Sequence, residues 1–208
     1  MSRTDITRLR EKGSTDRAAL DALLDSCILG HFGIAGDDGP VVIPTAIVRD
    51  GDRVLAHGST GSRWMRRLGS GVPACLTVTA LDGVVVARSA FESSLHYRSA
   101  VLFGSCAPVA DTETALDLIS ERLIPGRTGE IRRPAKAELA ATLVLELPIS
   151  EWSLKISAGW PEDPDDDVAG DAWAGVVPMT TGYAPPRPAP DLRAGIAVPD
   201  SVLRLGSG

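Results

Sequence analysis

Apolar and polar positions along this chain mark strand-like runs in its middle and helical faces around them. Between residues 27 and 109 the strand-like runs come in close succession, at 27–35, 40–49, 53–57, 72–81, 84–89 and 97–109. Gly-Asp-Asp-Gly at 36–39, Asp-Gly-Asp at 50–52 and Asp-Gly at 82–83 separate them. The last is the hairpin dipeptide that tolerates positive φ at both central positions. Strands this closely spaced predict a meandering antiparallel barrel rather than alternating βαβ units. The run at 97–109 is apolar enough to predict burial on both faces.

Elsewhere the period is helical. Ser14 or Thr15 can cap a helix over 16–26 whose Leu20, Leu23 and Leu24 share one face. Asp111 can cap another over 112–123, with Ala115, Leu116, Ile119 and Leu123 inward. A short Ala/Glu/Leu helix follows Arg133, and strands at 142–147 and 151–156 complete the sheet. The fold class expected is mainly β with flanking helices, α+β. Three regions result: a mobile arm at 1–13, a strand-rich domain at 14–157, and a tail at 158–208. The tail reads Pro-Glu-Asp-Pro-Asp-Asp-Asp at 161–167 and Pro-Pro-Arg-Pro-Ala-Pro at 185–190. Such composition predicts extended chain, mobile at 161–170 and docked through 173–178, where Trp173, Val176 and Val177 offer apolar surface. Trp173 would then lie over a ligand cleft or on the barrel exterior.

Bulk properties narrow the function. The 208 residues are 44% hydrophobic and 23% charged, ordinary values for one globular domain. A net charge of -6 leaves no basic excess for a nucleic-acid partner. No apolar run approaches the roughly 18 residues of a membrane span. The charged N-terminus has no signal-peptide core, and Cys27, Cys75 and Cys106 are scattered without metal-ligand spacing. They read as small buried hydrophobes in a reduced cytosol, giving a metal-free, cytoplasmic expectation. No Gly-X-Ser-X-Gly elbow, phosphate-binding P-loop or His-Glu-X-X-His pattern occurs.

The most informative segment is His57-Gly58-Ser59-Thr60-Gly61-Ser62-Arg63-Trp64-Met65-Arg66-Arg67, between a short strand and a turn of helix. Gly58 and Gly61 permit a tight turn, Ser59, Thr60 and Ser62 bring hydroxyls, and Arg63 offers a fork suited to phosphate. Free amides at a helix start complete a phosphate cradle. A Gly/Ser connector ahead of a basic, solvated helix face has the same pattern. His57 either donates to the phosphate or ends its strand. His96, beside Tyr97 and Arg98, is a solvated loop residue or lines a ligand cleft. His31, in an apolar run, reads as structural.

Three segments occur in a recognisable order: Val42-Ile43-Pro44-Thr45-Ala46, the 57–67 loop, and Ser94-Leu95-His96-Tyr97-Arg98-Ser99 running to Gly104. Together they resemble the FMN-binding split-barrel superfamily, in particular the pyridoxamine 5′-phosphate oxidase-related proteins that include nitroimidazole-resistance reductases. The resemblance covers about residues 14–178. It implies a six-stranded antiparallel split barrel that forms a homodimer with flavin at the subunit interface. It also implies that Pro44, Thr45 and Ala46 run beside the isoalloxazine ring, and that His57, Gly58, Ser59, Ser62 and Arg63 hold the ribityl phosphate. His96, Tyr97, Arg98 and Trp173 are the substrate-cleft candidates; no catalytic side chain is assigned. True pyridoxamine phosphate oxidases carry further basic residues on the strand before the loop and at the C-terminus. Here that strand offers only Arg49 and the tail is acidic, which argues against vitamin B6 oxidation.

The function expected is therefore an FMN-dependent oxidoreductase passing electrons from NAD(P)H to a small acceptor such as a quinone or nitroaromatic. The flavin does the redox chemistry while the protein binds and orients it. Deazaflavin or haem occupies relatives of this barrel, and a haem would need His57 or His96 as axial ligand. A non-catalytic flavin-binding or regulatory module is the remaining alternative.

Overall fold

The computed structural model describes residues 2–36 and 39–206; the turn expected at Asp37 and Asp38 lies outside them. In chain order the strands are β1 (Gly13–Ser14), β2 (Leu29–Gly36), β3 (Gly39–Asp50), β4 (Arg53–Ser59), β5 (Pro73–Val86), β6 (Ser94–Ser105), β7 (Ala107–Pro108), β8 (Thr142–Pro148), β9 (Glu151–Ser157) and β10 (Gly175–Pro178). The helices are α1 (Arg17–Ser26), α2 (Arg63–Gly69), α3 (Thr112–Leu123), α4 (Lys136–Ala140), α5 (Asp165–Val168) and α6 (Asp200–Leu205). All strand pairs are antiparallel, in the order β1-β9-β6-β5-β2-β3-β4-β8-β7, with β10 added to β5.

The sheet curls on itself. Leu76 of β5 and Leu102 of β6 share one core with Val54 of β4 and with Leu145 and Leu147 of β8. Helix α1 adds Leu20, Leu23 and Leu24, each at most 1% exposed, to that core. Each such side chain stabilises the fold by about 1.5–3 kcal/mol relative to exposure. On the opposite side of β4 and β8, α3 covers Val48, Leu55 and Val144 with Ala115 and Ile119.

Several expectations change. The α1 cap is Asp16, whose carboxylate accepts from the Ala18 N–H at 2.9 Å, because Ser14 is taken up in β1. Asp82-Gly83 is no hairpin: β5 runs on through it, and the register shifts between Leu81 and Gly83 against a continuous β6. Arg98 on β6 holds the Asp82 carboxylate bidentately, at 2.9 and 2.8 Å, so the extra residue is absorbed as a bulge. The run at 97–109 splits into β6 and β7, and only Ala100 and Leu102 of β6 are fully buried; Tyr97, Ser99, Val101 and Phe103 on the other face are half-buried. The sheet has ten strands rather than six; β1, β7 and β10 are pieces of two to four residues. Of the cysteines only Cys106 is buried, and desolvation pushes its thiol up to about 11; Cys27 and Cys75 are half-exposed.

Beyond β9 the tail is tied at several places, among them the Gly159 carbonyl, which meets His96. Asp163 meets Arg88, β10 pairs with Gly83–Val86 of β5, and Ser201 of α6 donates through its N–H and hydroxyl to Glu130. No helix among the described residues is long and apolar enough to cross a membrane.

Candidate functional site

Strand β4 delivers the loop. It lies between β3 and β8, with Ala56 opposite Ile47 and Ser59 opposite Thr142. The backbone then turns: Thr60 donates through N–H and hydroxyl to the Ala141 carbonyl at 2.9 and 3.2 Å. The Ser59 hydroxyl accepts from Gly61 N–H at 3.0 Å, and the Ser62 hydroxyl caps α2 by accepting from Met65 N–H at 3.4 Å. Each hydroxyl keeps its own proton to donate. A Cβ at Gly58 would lie 2.7 Å from Met65 Cγ, so glycine there lets α2 pack directly onto the strand end.

Arg63 is exposed and stacks over the Trp64 ring at 4.6 Å, with no carboxylate partner among the described residues. Arg66 instead donates to the Thr60 carbonyl at 2.9 Å, bracing the loop. His57 is half-buried; its Nδ1 is shielded and makes no hydrogen bond, and desolvation holds the ring below its usual range. The ring is therefore neutral near pH 7, and positive charge at the loop comes from Arg63 and from Arg66, which is bound to the Thr60 carbonyl.

Loop and neighbouring strand meet. Thr45, Ser62, Trp64 and Met65 line a shared cavity of about 40 Å³ under the loop. Pro44 and Ala46 alternate with Thr45 and belong to the other, outward face of β3. That face continues across the sheet. Leu29, His31 and Gly33 of β2 stand opposite Ala46, Pro44 and Val42, and Thr77 and Cys75 of β5 follow. It is largely apolar and bare, with Leu29 51% and Val42 65% exposed.

The substrate-cleft candidates lie elsewhere. His96, Tyr97 and Arg98 sit within β6, with Arg98 tied to Asp82 and His96 Nε2 2.7 Å from the Gly159 carbonyl. Trp173 is exposed just before β10, at the same end of the β5–β6 pair. Strand spacing and register put Tyr97 roughly 15–20 Å from Thr45 within one chain. Arg49, the basic residue of β3, is bound bidentately by Asp25 at 3.0 and 2.6 Å and faces α1, away from the loop. His31, read as structural, is exposed. Strict alternation with Phe32 and Ile34 was the signal that could have put it on the outer face.

The family model for pyridoxamine 5′-phosphate oxidase matches residues 16–156, well over half of the chain. The chain belongs to this family. Two solved structures are similar over nearly the whole length. The FAD and haem binding protein from Mycobacterium smegmatis is 52% identical, with a TM-score of 0.91 over 94% of this chain and 97% of that one. The flavocytochrome Anf3 from Azotobacter vinelandii is 35% identical, with a TM-score of 0.92 over 99% and 97%. A putative 5-nitroimidazole antibiotic resistance protein from Bacteroides thetaiotaomicron, 18% identical, shares the fold with a TM-score of 0.55 over 69% and 86%. No curated protein matches. Similarity to both full-length relatives extends past the family model into the tail.

Proposed function

We propose that this chain is a flavin- and haem-binding oxidoreductase that works as a homodimer in the cytoplasm. The observation that carries the reading is the 52% identity, over 94% of the chain, to a FAD and haem binding protein. The residues fit such groups. Arg63, a cation with no acidic partner among the described residues, and the hydroxyl protons of Ser59 and Ser62 suit the phosphate shared by FMN and FAD. Gly58 brings the backbone close, and Pro44, Thr45 and Ala46 offer a strand beside which the isoalloxazine ring would lie. The bare outer face of β2 and β3 suits an apolar macrocycle or a second copy of the chain.

When bound, a flavin supplies the step between two-electron and one-electron transfer, and a haem one-electron transfer. The chain binds and orients them: Arg63 holds the anionic end, and Thr45 and Trp64 fill the space beneath the loop. The distance between the loop and His96, Tyr97, Arg98 and Trp173 supports a dimeric site, in which a second copy brings those residues to the flavin. We take NAD(P)H as the electron donor and a small molecule, of quinone or nitroaromatic type, as the acceptor. Arg49 is consumed by Asp25, which weighs further against vitamin B6 oxidation.

The test titrates FAD and FMN into the apo-protein by fluorescence quenching, then follows NAD(P)H oxidation with a panel of quinones and nitroaromatics. Saturable flavin binding with turnover is expected. Folded protein that binds neither flavin refutes the reading, and binding without turnover reduces it to a flavin-binding module.

A further inference from the structure

Among the three histidines, the site of each ring separates their chemistry. His57 directs its shielded Nδ1 into the protein, on the side of β4 covered by α3. His96 belongs to the same face of β6 as the buried Ala100 and Leu102. It is anchored to the Gly159 carbonyl at 2.7 Å and lies beside the Arg98–Asp82 ion pair. Only His31 stands on the bare face. It is exposed, it makes no hydrogen bond among the described residues, and its cross-strand neighbours are Pro44 on one side and Thr77 on the other.

The residues around it are small or apolar. Gly33 and Leu29 flank it along β2, Val42 and Ala46 lie diagonally across β3, and no charged side chain of β2, β3 or β5 shares the neighbouring rows. The four strands β3, β2, β5 and β6 span roughly 14 Å, the scale of a porphyrin, with Arg3 stacked over Phe103 at the β6 side. An imidazole nitrogen rising from an apolar platform is a donor that haem iron takes.

We propose that His31 is the residue whose imidazole would hold haem iron, with the bare outer face of β2 and β3 as the surface against which the haem would lie. The proposal rests on the haem-binding reading above and deepens it. It replaces His57 and His96 as ligand candidates. The imidazole nitrogen lone pair would form the Fe–N bond in place of a water or hydroxide ligand of the added ferric haem, with no change in iron oxidation state. The ligand also stands one residue pair from Pro44, so the haem would lie beside the strand that borders the flavin ring.

The test uses the full chain. Ferric haem is titrated into wild-type protein and into His31→Ala, His57→Ala, His96→Ala and Cys75→Ala, with the Soret band and low-temperature electron paramagnetic resonance as readouts. Far-ultraviolet circular dichroism of each variant reports the fold independently. The expected result is at least tenfold weaker haem binding and a displaced Soret band for His31→Ala alone, flavin affinity unchanged, and recovery of the wild-type spectrum on adding imidazole. A wild-type spectrum in His31→Ala, or the loss appearing instead in His57→Ala, His96→Ala or Cys75→Ala, overturns the assignment. Wild-type protein that binds flavin but no haem overturns it together with the haem reading, leaving the flavin site standing.

Discussion

The Asp163 side chain is fully buried, and its two oxygens accept from a single residue, Arg88: the backbone N–H at 2.8 Å and the guanidinium at 3.0 Å. This pair fixes the start of the tail against the far end of β5. Replacing Asp163 by Ala leaves a mostly covered guanidinium and an amide without their acceptor. The expected cost is about 2 kcal/mol, within the range for charged hydrogen bonds lost in partly buried sites. Urea unfolding of wild type and Asp163→Ala measures it; a difference near zero contradicts the pinning role.

Gly83 sits where β10 crosses β5. A Cβ there would come 2.9 Å from the Val177 carbonyl oxygen and 3.3 Å from Pro178 Cα, backbone atoms that cannot swing aside. Gly83→Ala is therefore expected to detach β10, and tail cleavage by protease should accelerate. Unchanged proteolysis would show that β10 tolerates the methyl group.

Arg63 carries the charge of the proposed phosphate site. Truncation to Ala removes a charge-assisted contact worth roughly 1.5–3 kcal/mol, so flavin affinity should fall about tenfold or more. Arg63→Lys should lose less, keeping the charge but not the fork. Equal quenching curves for wild type and Arg63→Ala would remove the loop from the binding site.

Burial holds His57 below its ordinary value of 6.5. In the window just below that value the unfolded chain takes up a proton that the folded chain refuses. Stability is thus lost as pH falls from 6.5 toward the lowered folded value. His57→Gln removes this contribution. The expected outcome is a smaller acid-induced drop in urea midpoint for the variant than for wild type, compared above and below pH 6.5. Identical drops would mean the ring is solvated in solution.

Local pattern carried much of this fold into the sequence. Asp111 caps α3 as its spacing implies, and the leucines of α1 sit on one buried face. The 57–63 turn was legible because its glycines, hydroxyls and Arg63 act within a few residues of one another. What escaped was set at long range. The Asp82-Gly83 pair looks like a turn until Arg98, on the neighbouring strand, takes the carboxylate. Asp163 looks like one more repelling charge in an acidic run, and only folding brings Arg88 to it. His31 lay in an apolar run whose composition hid its alternation, so the face it occupies became visible only with β3 and β5 beside it.

The most direct measurement is the absorption spectrum of the full chain after saturation with FAD and haem and removal of unbound cofactor. Bands of both groups, at about one flavin and one haem per chain, are the result expected of a flavin- and haem-binding oxidoreductase. A folded chain that emerges with neither set of bands would contradict it.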